Sequence, residues 1–308
     1  MISNKQNKKV LITGGAGFIG KFVKQKLKEC GFNVLSIGRK KEEDVCIELN
    51  DPKLSQLISE FSPSIVCHFA SGSNIARAEE NKEKEFKNTV TSAGILVSAL
   101  NKMKNINFLY LSSQAVYGFA EKLPVSEKCL PFPVTEYGKN KFEVEKIVSA
   151  SELNYLIFRV SSVYGPTQDS NKSGAIAKFI NKLRSNQSPT VFNSFETFSD
   201  YIYVNDIVSA IILFITEWDS LNIRREVFNL GSGVPVTLKE LFEILYKFFP
   251  KAPKPTIVEN KFYPDERQKG LYLDINKIEL RSNWKPVYSI NSGLQTLMSE
   301  EFSKAIKF

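Results

Sequence analysis

From Lys9 onward, short apolar and β-branched runs alternate with stretches whose apolar residues recur every three or four positions. The runs fall at residues 10–13, 34–37, 45–47, 65–69, 108–111 and 155–158, and helical spacing covers residues 22–30, 52–61, 83–102 and 135–150. In the last of these, Phe142, Val144, Ile147 and Val148 mark one face. Strands that read as continuous apolar runs are buried on both sides, and the helices between them supply the covering layers. The pattern predicts an α/β fold built on a doubly wound parallel sheet.

Past Pro166 the rhythm breaks. Residues 167–173 are polar and residues 186–199 are rich in turn formers. Thr237-Leu-Lys-Glu240 then reads as a capping box opening an amphipathic helix through Phe249, which the prolines between 250 and 255 end. The expected organisation is a core over residues 1–165, rejoined by residues 200–230, and a smaller C-terminal lobe made of residues 166–199 and 231–308.

With 43% hydrophobic and 24% charged residues among 308, the composition is that of a folded globular chain. The formal net charge is +8, but Lys and Arg are scattered and form no run longer than three. A dispersed basic surface suits a small phosphate-bearing ligand better than nucleic acid. Four cysteines stand far apart without a C-x-x-C pair, and the single histidine, His68, cannot complete a metal set by spacing. No metal is expected. The apolar stretch at 10–12 is too short for a signal segment and that at 207–215 too short to cross a bilayer, so a cytoplasmic protein without membrane partners is expected.

Thr13-Gly-Gly-Ala-Gly-Phe-Ile-Gly20 follows the first strand and opens the first helix. Gly15, Gly17 and Gly20 fit G-x-G-x-x-G, in which glycines allow a tight turn and close approach of the backbone to a pyrophosphate at a helix N-terminus. The sheet is therefore expected to be Rossmann-type and to bind a dinucleotide. Where NAD-selective versions carry an acid at the end of the second strand, this chain has Gly38-Arg39-Lys40-Lys41. Cations there, Arg39 foremost, would accept a 2′-phosphate, so NADP is the expected cofactor and NAD the alternative.

Of the eleven tyrosines, only Tyr137 has a lysine four residues on, Lys141, at the start of a helix where the two share a face. An ammonium beside a phenol favours the phenolate and suits it to proton transfer. Upstream, Ser112 and Ser113 end the fifth strand on the sheet edge where open α/β folds bind ligands.

With these residues the chain resembles the extended short-chain dehydrogenase/reductase family, in its NAD-dependent epimerase/dehydratase group acting on nucleotide sugars. The family's T-G-x-x-G-x-x-G matches Thr13, Gly14, Gly17 and Gly20, and its H-x-A matches His68-Phe69-Ala70. Further elements match Ser112 to Gly118, Tyr137 to Lys141, Arg159 to Pro166, Asp200 to Asp206, Asn229 to Gly233 and Trp284-Lys-Pro286, in order. The resemblance implies Tyr137 as general acid/base and Lys141 as the residue that lowers its pKa and binds the nicotinamide ribose. It makes Ser113 the holder of the reacting oxygen. Gly14, Gly17, Phe18, Ile19, Gly20, Glu48, Leu49, Phe69, Ala70 and Ser71 would line the cofactor, with Asn88 near the site. His68 is expected to be a hydrogen-bonded residue beside the loop and not a base.

Dehydratases of this family carry an acid pair where this chain has Gln114-Ala115, so water elimination is disfavoured. The family's Asn before V-Y-G-P and Arg before D-Y-I-Y-V are here Ser162 and Ser199, and the second replacement removes a fork suited to a diphosphate. Arg267 resembles the other diphosphate-binding arginine, with Lys178 as a helper; Gln114 and Ser162 complete the substrate set. The expected activity is NADPH-dependent reduction of a nucleotide-linked 4-keto-6-deoxyhexose. The alternatives are an NAD-dependent nucleotide-sugar 4-epimerase and a non-catalytic cofactor-binding protein. The family also implies a homodimer through the helices at 83–102 and 135–150.

Overall fold

The computed structural model describes residues 8–72, 75–169, 174–192, 194–259 and 269–305. The first half lays down strands β1 (Lys9–Thr13), β2 (Asn33–Gly38), β3 (Val45–Cys46), β4 (Ile65–His68), β5 (Asn107–Ser113) and β6 (Asn154–Val160). Between them run helices α1 (Phe18–Glu29), α2 (Leu54–Phe61), α3 (Ile75–Glu80), α4 (Lys82–Phe86), α5 (Ser92–Leu100) and α6 (Glu136–Ser149). The remainder comprises β7 (Ser162–Tyr164), α7 (Ala175–Arg184), β8 (Thr190–Phe192), β9 (Phe198–Tyr203), α8 (Val204–Thr216) and β10 (Glu226–Leu230). After these come β11 (Pro235–Thr237), α9 (Leu238–Phe248), β12 (Thr256–Val258), β13 (Gly270–Leu271), α10 (Asn276–Ser282) and α11 (Ile290–Ala305).

The main sheet is seven-stranded and parallel throughout, in the order β10-β6-β5-β4-β1-β2-β3. The order reverses between β1 and β4, so the segments leaving those two strands diverge and open a crevice at their carboxyl ends. Strand alternation sorts the core into two layers. Val10, Ile12, Cys67, Leu109 and Phe158 pack with Val23 and Leu27 of α1 and Ile207, Ile211 and Phe214 of α8. On the other face Leu11, Val66, Phe108 and Ile157 pack with Leu54 and Ile58 of α2, Leu96 of α5 and Val144 of α6. Truncating one of these buried side chains to Ala costs roughly 2–5 kcal/mol, so the sheet is a rigid platform for what its edge carries.

The helical spacing over 83–102 resolves into α4, a π-helical turn at Lys87–Thr91 and α5. Such wide turns re-aim side chains within a helix; here the turn lets the Thr89 hydroxyl accept the Gly72 N–H at 3.1 Å, bracing the segment after β4.

Residues 200–230 divide between two sheets. β9 pairs with β7, β11 and β13 in a smaller sheet, and α8 and β10 return to the main one. The smaller sheet packs on α7, α9 and α11 through Tyr164, Phe179, Tyr203, Leu241, Phe242 and Leu294. The capping box is formed: Thr237 Oγ1 accepts the Glu240 N–H at 3.1 Å and Glu240 Oε2 accepts the Thr237 N–H at 2.8 Å. Two motif acids are fasteners. Asp200 accepts N–H groups of Ser232, Gly233 and Leu273 at 2.7, 3.1 and 3.2 Å, and Asp206 those of Val287 and Tyr288 at 3.0 and 3.1 Å. Among the described residues no helix is long and apolar enough to cross a membrane, and no group of His, Cys, Asp and Glu could hold a metal ion.

Candidate active site

The glycine-rich turn sits at the crevice between β1 and β4. Gly14 has φ +75°, and a Cβ there would lie 2.8 Å from the Ala70 amide nitrogen, so this crossing requires glycine. At Gly20 a Cβ would collide with the Gly14 carbonyl oxygen, which is how the helix comes so close to the turn. Gly17 occupies the N-cap of α1 with no capping side chain, and no acid stands in the first turn. The amides of Phe18, Ile19 and Gly20 are thus left to an anion. Phe69 and Ala70 lie half-buried beside the turn, tied to it by the Phe69 N–H on the Thr13 carbonyl at 3.0 Å and the Ala70 N–H on the Thr13 hydroxyl at 3.3 Å.

His68 is 1% exposed, with Nδ1 2.7 Å from Thr13 Oγ1 and its ring stacked on Tyr110 at 5.7 Å. Burial first, and the charge of Lys141 second, pull its pKa down to about 3. Neutral and hydrogen-bonded, it fixes the end of β1.

At the end of β2 the Arg39 side chain is exposed and donates to Asn88 Oδ1 at 3.3 Å, while Lys40 Nζ reaches the Ala16 carbonyl at 2.8 Å. The residue lodged against the glycine turn is one the sequence reading passed over, Glu43. Its Oε1 accepts the Ala16 N–H at 2.8 Å, and its buried Oε2 has no hydrogen-bond partner among the described residues. A signal for it existed: three acids, Glu42-Glu43-Asp44, follow the basic run Arg39-Lys40-Lys41. Further on, Glu48 is exposed, whereas Leu49 is 8% exposed within the apolar cluster that holds Leu54 and Ile58.

Three sequence-selected groups converge where β5 ends. Thr135 caps α6 by accepting the Gly138 N–H at 3.1 Å. Gly138 itself lets the helix close on the turn after β5, since a Cβ there would lie 2.5 Å from the Ala115 carbonyl oxygen. That approach brings half-buried Tyr137 to Ser113, whose hydrogen bond lowers the phenol's pKa while burial, the larger influence, raises it. Lys141, one turn on and 5% exposed, donates to Ser71 Oγ and to the Leu111 carbonyl, each at 2.7 Å. Its ammonium lies 5.9 Å from the Tyr137 ring centroid, and burial pulls its own pKa down to about 7 against the pull of Glu145. Burial thus makes the lysine more reluctant to hold its charge than a free one.

Next to Ser113, Gln114 Nε2 donates to Ser162 Oγ at 3.4 Å, and Ser162 Oγ lies 2.9 Å from Ser199 Oγ. Gln114 Oε1 is buried without a partner among the described residues. These three neutral side chains stand together where the family pattern has more strongly binding groups, and Gln114 and Ala115 follow Ser113 where its dehydratases have acids. Lys178 is exposed on α7, and Arg267 lies outside the described residues.

Behind the cleft a second polar cluster is sealed. Ser112 donates to Glu145 Oε1, and Arg159 holds Glu145 with its NH2 at 2.7 Å from Oε2. The Arg159 guanidinium lies 4.8 Å from the Tyr117 ring centroid, and Tyr117 donates to Asn229 Oδ1 at 2.6 Å. Asn229 in turn donates to the carbonyls of Val125 and Asp274 at 2.8 and 3.0 Å.

A glycine turn at the switch point, a strand-end serine and a Tyr-Lys pair on the adjoining helix define the class of dinucleotide-dependent α/β enzymes. Residues 10–231 match the model of the NAD dependent epimerase/dehydratase family. The chain is 30% identical to a Methanocaldococcus jannaschii protein provisionally named UDP-glucose 4-epimerase, over 94% of this chain and 97% of the relative. It is 27% identical to the dTDP-4-dehydro-6-deoxyglucose reductase of Escherichia coli, over 94% and 96%. The solved UDP-glucose 4-epimerase of Thermotoga maritima, a structure with UDP-glucose, aligns with a TM-score of 0.84 at 25% identity, covering 97% of this chain and 99% of that one. The chain belongs to the NAD dependent epimerase/dehydratase family, and so to the extended short-chain dehydrogenase/reductase enzymes.

Proposed function

We propose that this enzyme is a nucleotide-sugar 4-epimerase that keeps NAD through its cycle. The observation that carries the reading is the convergence of Ser113, Tyr137 and Lys141 at the carboxyl end of β5, with Gln114 and Ala115 in place of an acid. The family's stated NAD dependence and the epimerase name of the 30% identical relative support it over reduction. The residues fit a dinucleotide: the uncapped α1 start would take the pyrophosphate, and Gly14 and Gly20 shape a cradle that a Cβ would fill.

When bound, the nicotinamide supplies a hydride acceptor and donor. Tyr137 Oη takes the proton of the sugar's C4 hydroxyl as that carbon is oxidised, and returns it when the carbon is reduced from its other face. Ser113 Oγ holds the reacting oxygen and shares the hydrogen bond with Tyr137. Lys141, already aimed between Ser71 and Leu111, binds the nicotinamide ribose and stabilises the phenolate once its ammonium is charged. With Gln114 and Ala115 where the family's dehydratases carry acids, water elimination is disfavoured. Gln114, Ser162 and Ser199 hold sugar hydroxyls as neutral partners, and Arg267, with Lys178 as a helper, takes the diphosphate. The smaller lobe supplies the substrate side and a homodimer forms over α5 and α6, whose surface carries the exposed Ile95.

The test is the nicotinamide content of the purified protein followed by incubation with UDP-glucose or UDP-galactose. Interconversion without added cofactor is expected. A protein that leaves both sugars unchanged and instead consumes NADPH with a keto-sugar would establish the second reading, a reductase, which Arg39, Lys40 and Lys41 and the Escherichia coli relative favour.

A further inference from the structure

Dinucleotide folds select NAD with an acid at the end of the second strand, which binds the adenosine ribose hydroxyls and repels a 2′-phosphate. In this chain that strand ends at Gly38, which has no side chain to offer. The space is nonetheless occupied by a carboxylate. A Cβ built on Gly38 would lie 2.9 Å from Glu43 Oε1, and one built on Gly15 would lie 3.0 Å from Glu43 Oε2. Glu43, from the turn between β2 and β3, thus lays its carboxyl group over two glycines, one in the phosphate turn and one at the strand end.

The carboxylate is held and incomplete at once. Glu43 is 9% exposed; the Ala16 N–H fixes Oε1 at 2.8 Å, while Oε2 is buried without a partner among the described residues. A buried carboxylate oxygen without a donor is costly, so Oε2 calls for a donor. The donors it lacks are those a ribose carries. The nearby cations do not neutralise it: Arg39 is exposed and engaged with Asn88, and Lys40 is exposed and engaged with the Ala16 carbonyl.

We infer that Glu43 accepts the adenosine ribose hydroxyls and makes the enzyme selective for NAD over NADP, a role the strand end has handed to the following turn. Arg39 and Lys40, on the rim, attract either dinucleotide without telling them apart. The inference rests on the dinucleotide-binding reading above and favours NAD, the alternative cofactor, over the NADP expected from Arg39.

The test is direct binding of NAD and of NADP to the full-length protein, followed by tryptophan fluorescence and by the rise in melting temperature each ligand causes. The wild type is expected to bind NAD about tenfold or more tightly than NADP, the scale set by one hydrogen bond to a charged acceptor. Glu43→Gln keeps an acceptor for the Ala16 N–H; it should weaken NAD about tenfold and bring NADP to within about threefold of it. Glu43→Ala combined with Gly38→Asp, which returns the acid to the strand end in the space vacated, should restore the preference for NAD. Parallel loss of both ligands in Glu43→Gln, or a wild type that prefers NADP, would overturn the role of Glu43 and leave the epimerase reading standing. A wild type that binds neither dinucleotide would overturn both.

Discussion

Ser112 and Ser113 are neighbours at the end of one strand, yet they belong to different machines. Ser113 opens on the cleft beside Tyr137, while Ser112 points to the sealed cluster of Glu145, Arg159 and Tyr117. Strand alternation makes the division. The open group is sparsely bonded; the sealed group satisfies its own charges. Motifs that read as one string in the sequence therefore mix residues of chemistry with residues that hold the sheet edge in shape.

The largest effect expected falls on the open side. Tyr137→Phe should lower turnover by about 10³-fold, the scale of a lost general acid/base, with melting temperature and dinucleotide binding nearly unchanged. Turnover close to wild type would remove Tyr137 from the site. The sealed side should respond in the opposite currency. Arg159→Ala leaves the Glu145 carboxylate buried without its cation, and breaking such a pair costs roughly 3–5 kcal/mol in a urea melt. A loss of activity greater than the loss of folded protein would mean that the two groups are not separate.

How far this division was legible in the sequence depended on the kind of signal. Periodicity read out the six leading strands, because their apolar runs pack within one parallel sheet, although Cys46 of the edge strand β3 is exposed, and the motifs led to Ser113, Tyr137 and Lys141, because local spacing survives folding. The break at residues 87–91 was hidden, since a π-helical turn keeps the same apolar residues in nearly the same order. Arg39 looked like the cofactor's partner on distance along the chain alone. The fold leaves it exposed against Asn88 and lodges Glu43 against the glycine turn, and no periodicity reports the path of a loop. The acids Asp200 and Asp206 could not be told from catalytic ones until their backbone partners were seen.

Lys141 stands where the two groups meet, because Glu145 pulls on its charge from the sealed side. Its folded pKa is lowered from 10.5 to about 7, so between those values the unfolded chain binds more protons than the folded one. Stability should therefore rise with pH across that window, and below it the full cost of the buried charge remains. Lys141→Met removes this contribution, and urea melts at several pH values should lose the corresponding upward slope. Tyr137 moves the other way. Its pKa is raised by burial, so the phenolate absorbance lost in Tyr137→Phe should appear above pH 10 without dinucleotide, and nearer neutrality with NAD bound.

The smallest expected effect is also the sharpest on the comparison. Ser112→Ala removes one donor to Glu145 but leaves the Arg159 guanidinium in place, with Nε also bonded at 3.2 Å to each carboxylate oxygen. The carboxylate stays paired, so the loss should be about 1 kcal/mol, that of one hydrogen bond, with kcat unaltered. Ser113→Ala one residue on should lower kcat far more than stability, because the role proposed for its hydroxyl is to hold the reacting oxygen and its structural load is one N–H, that of Ala115 at 3.2 Å. Measured side by side, the pair separates the two groups by a single residue of strand. Equal effects on kcat would show that Ser112 reaches the cleft through Glu145 and Lys141, and that the sealed cluster tunes the charge of the lysine as well as holding the sheet.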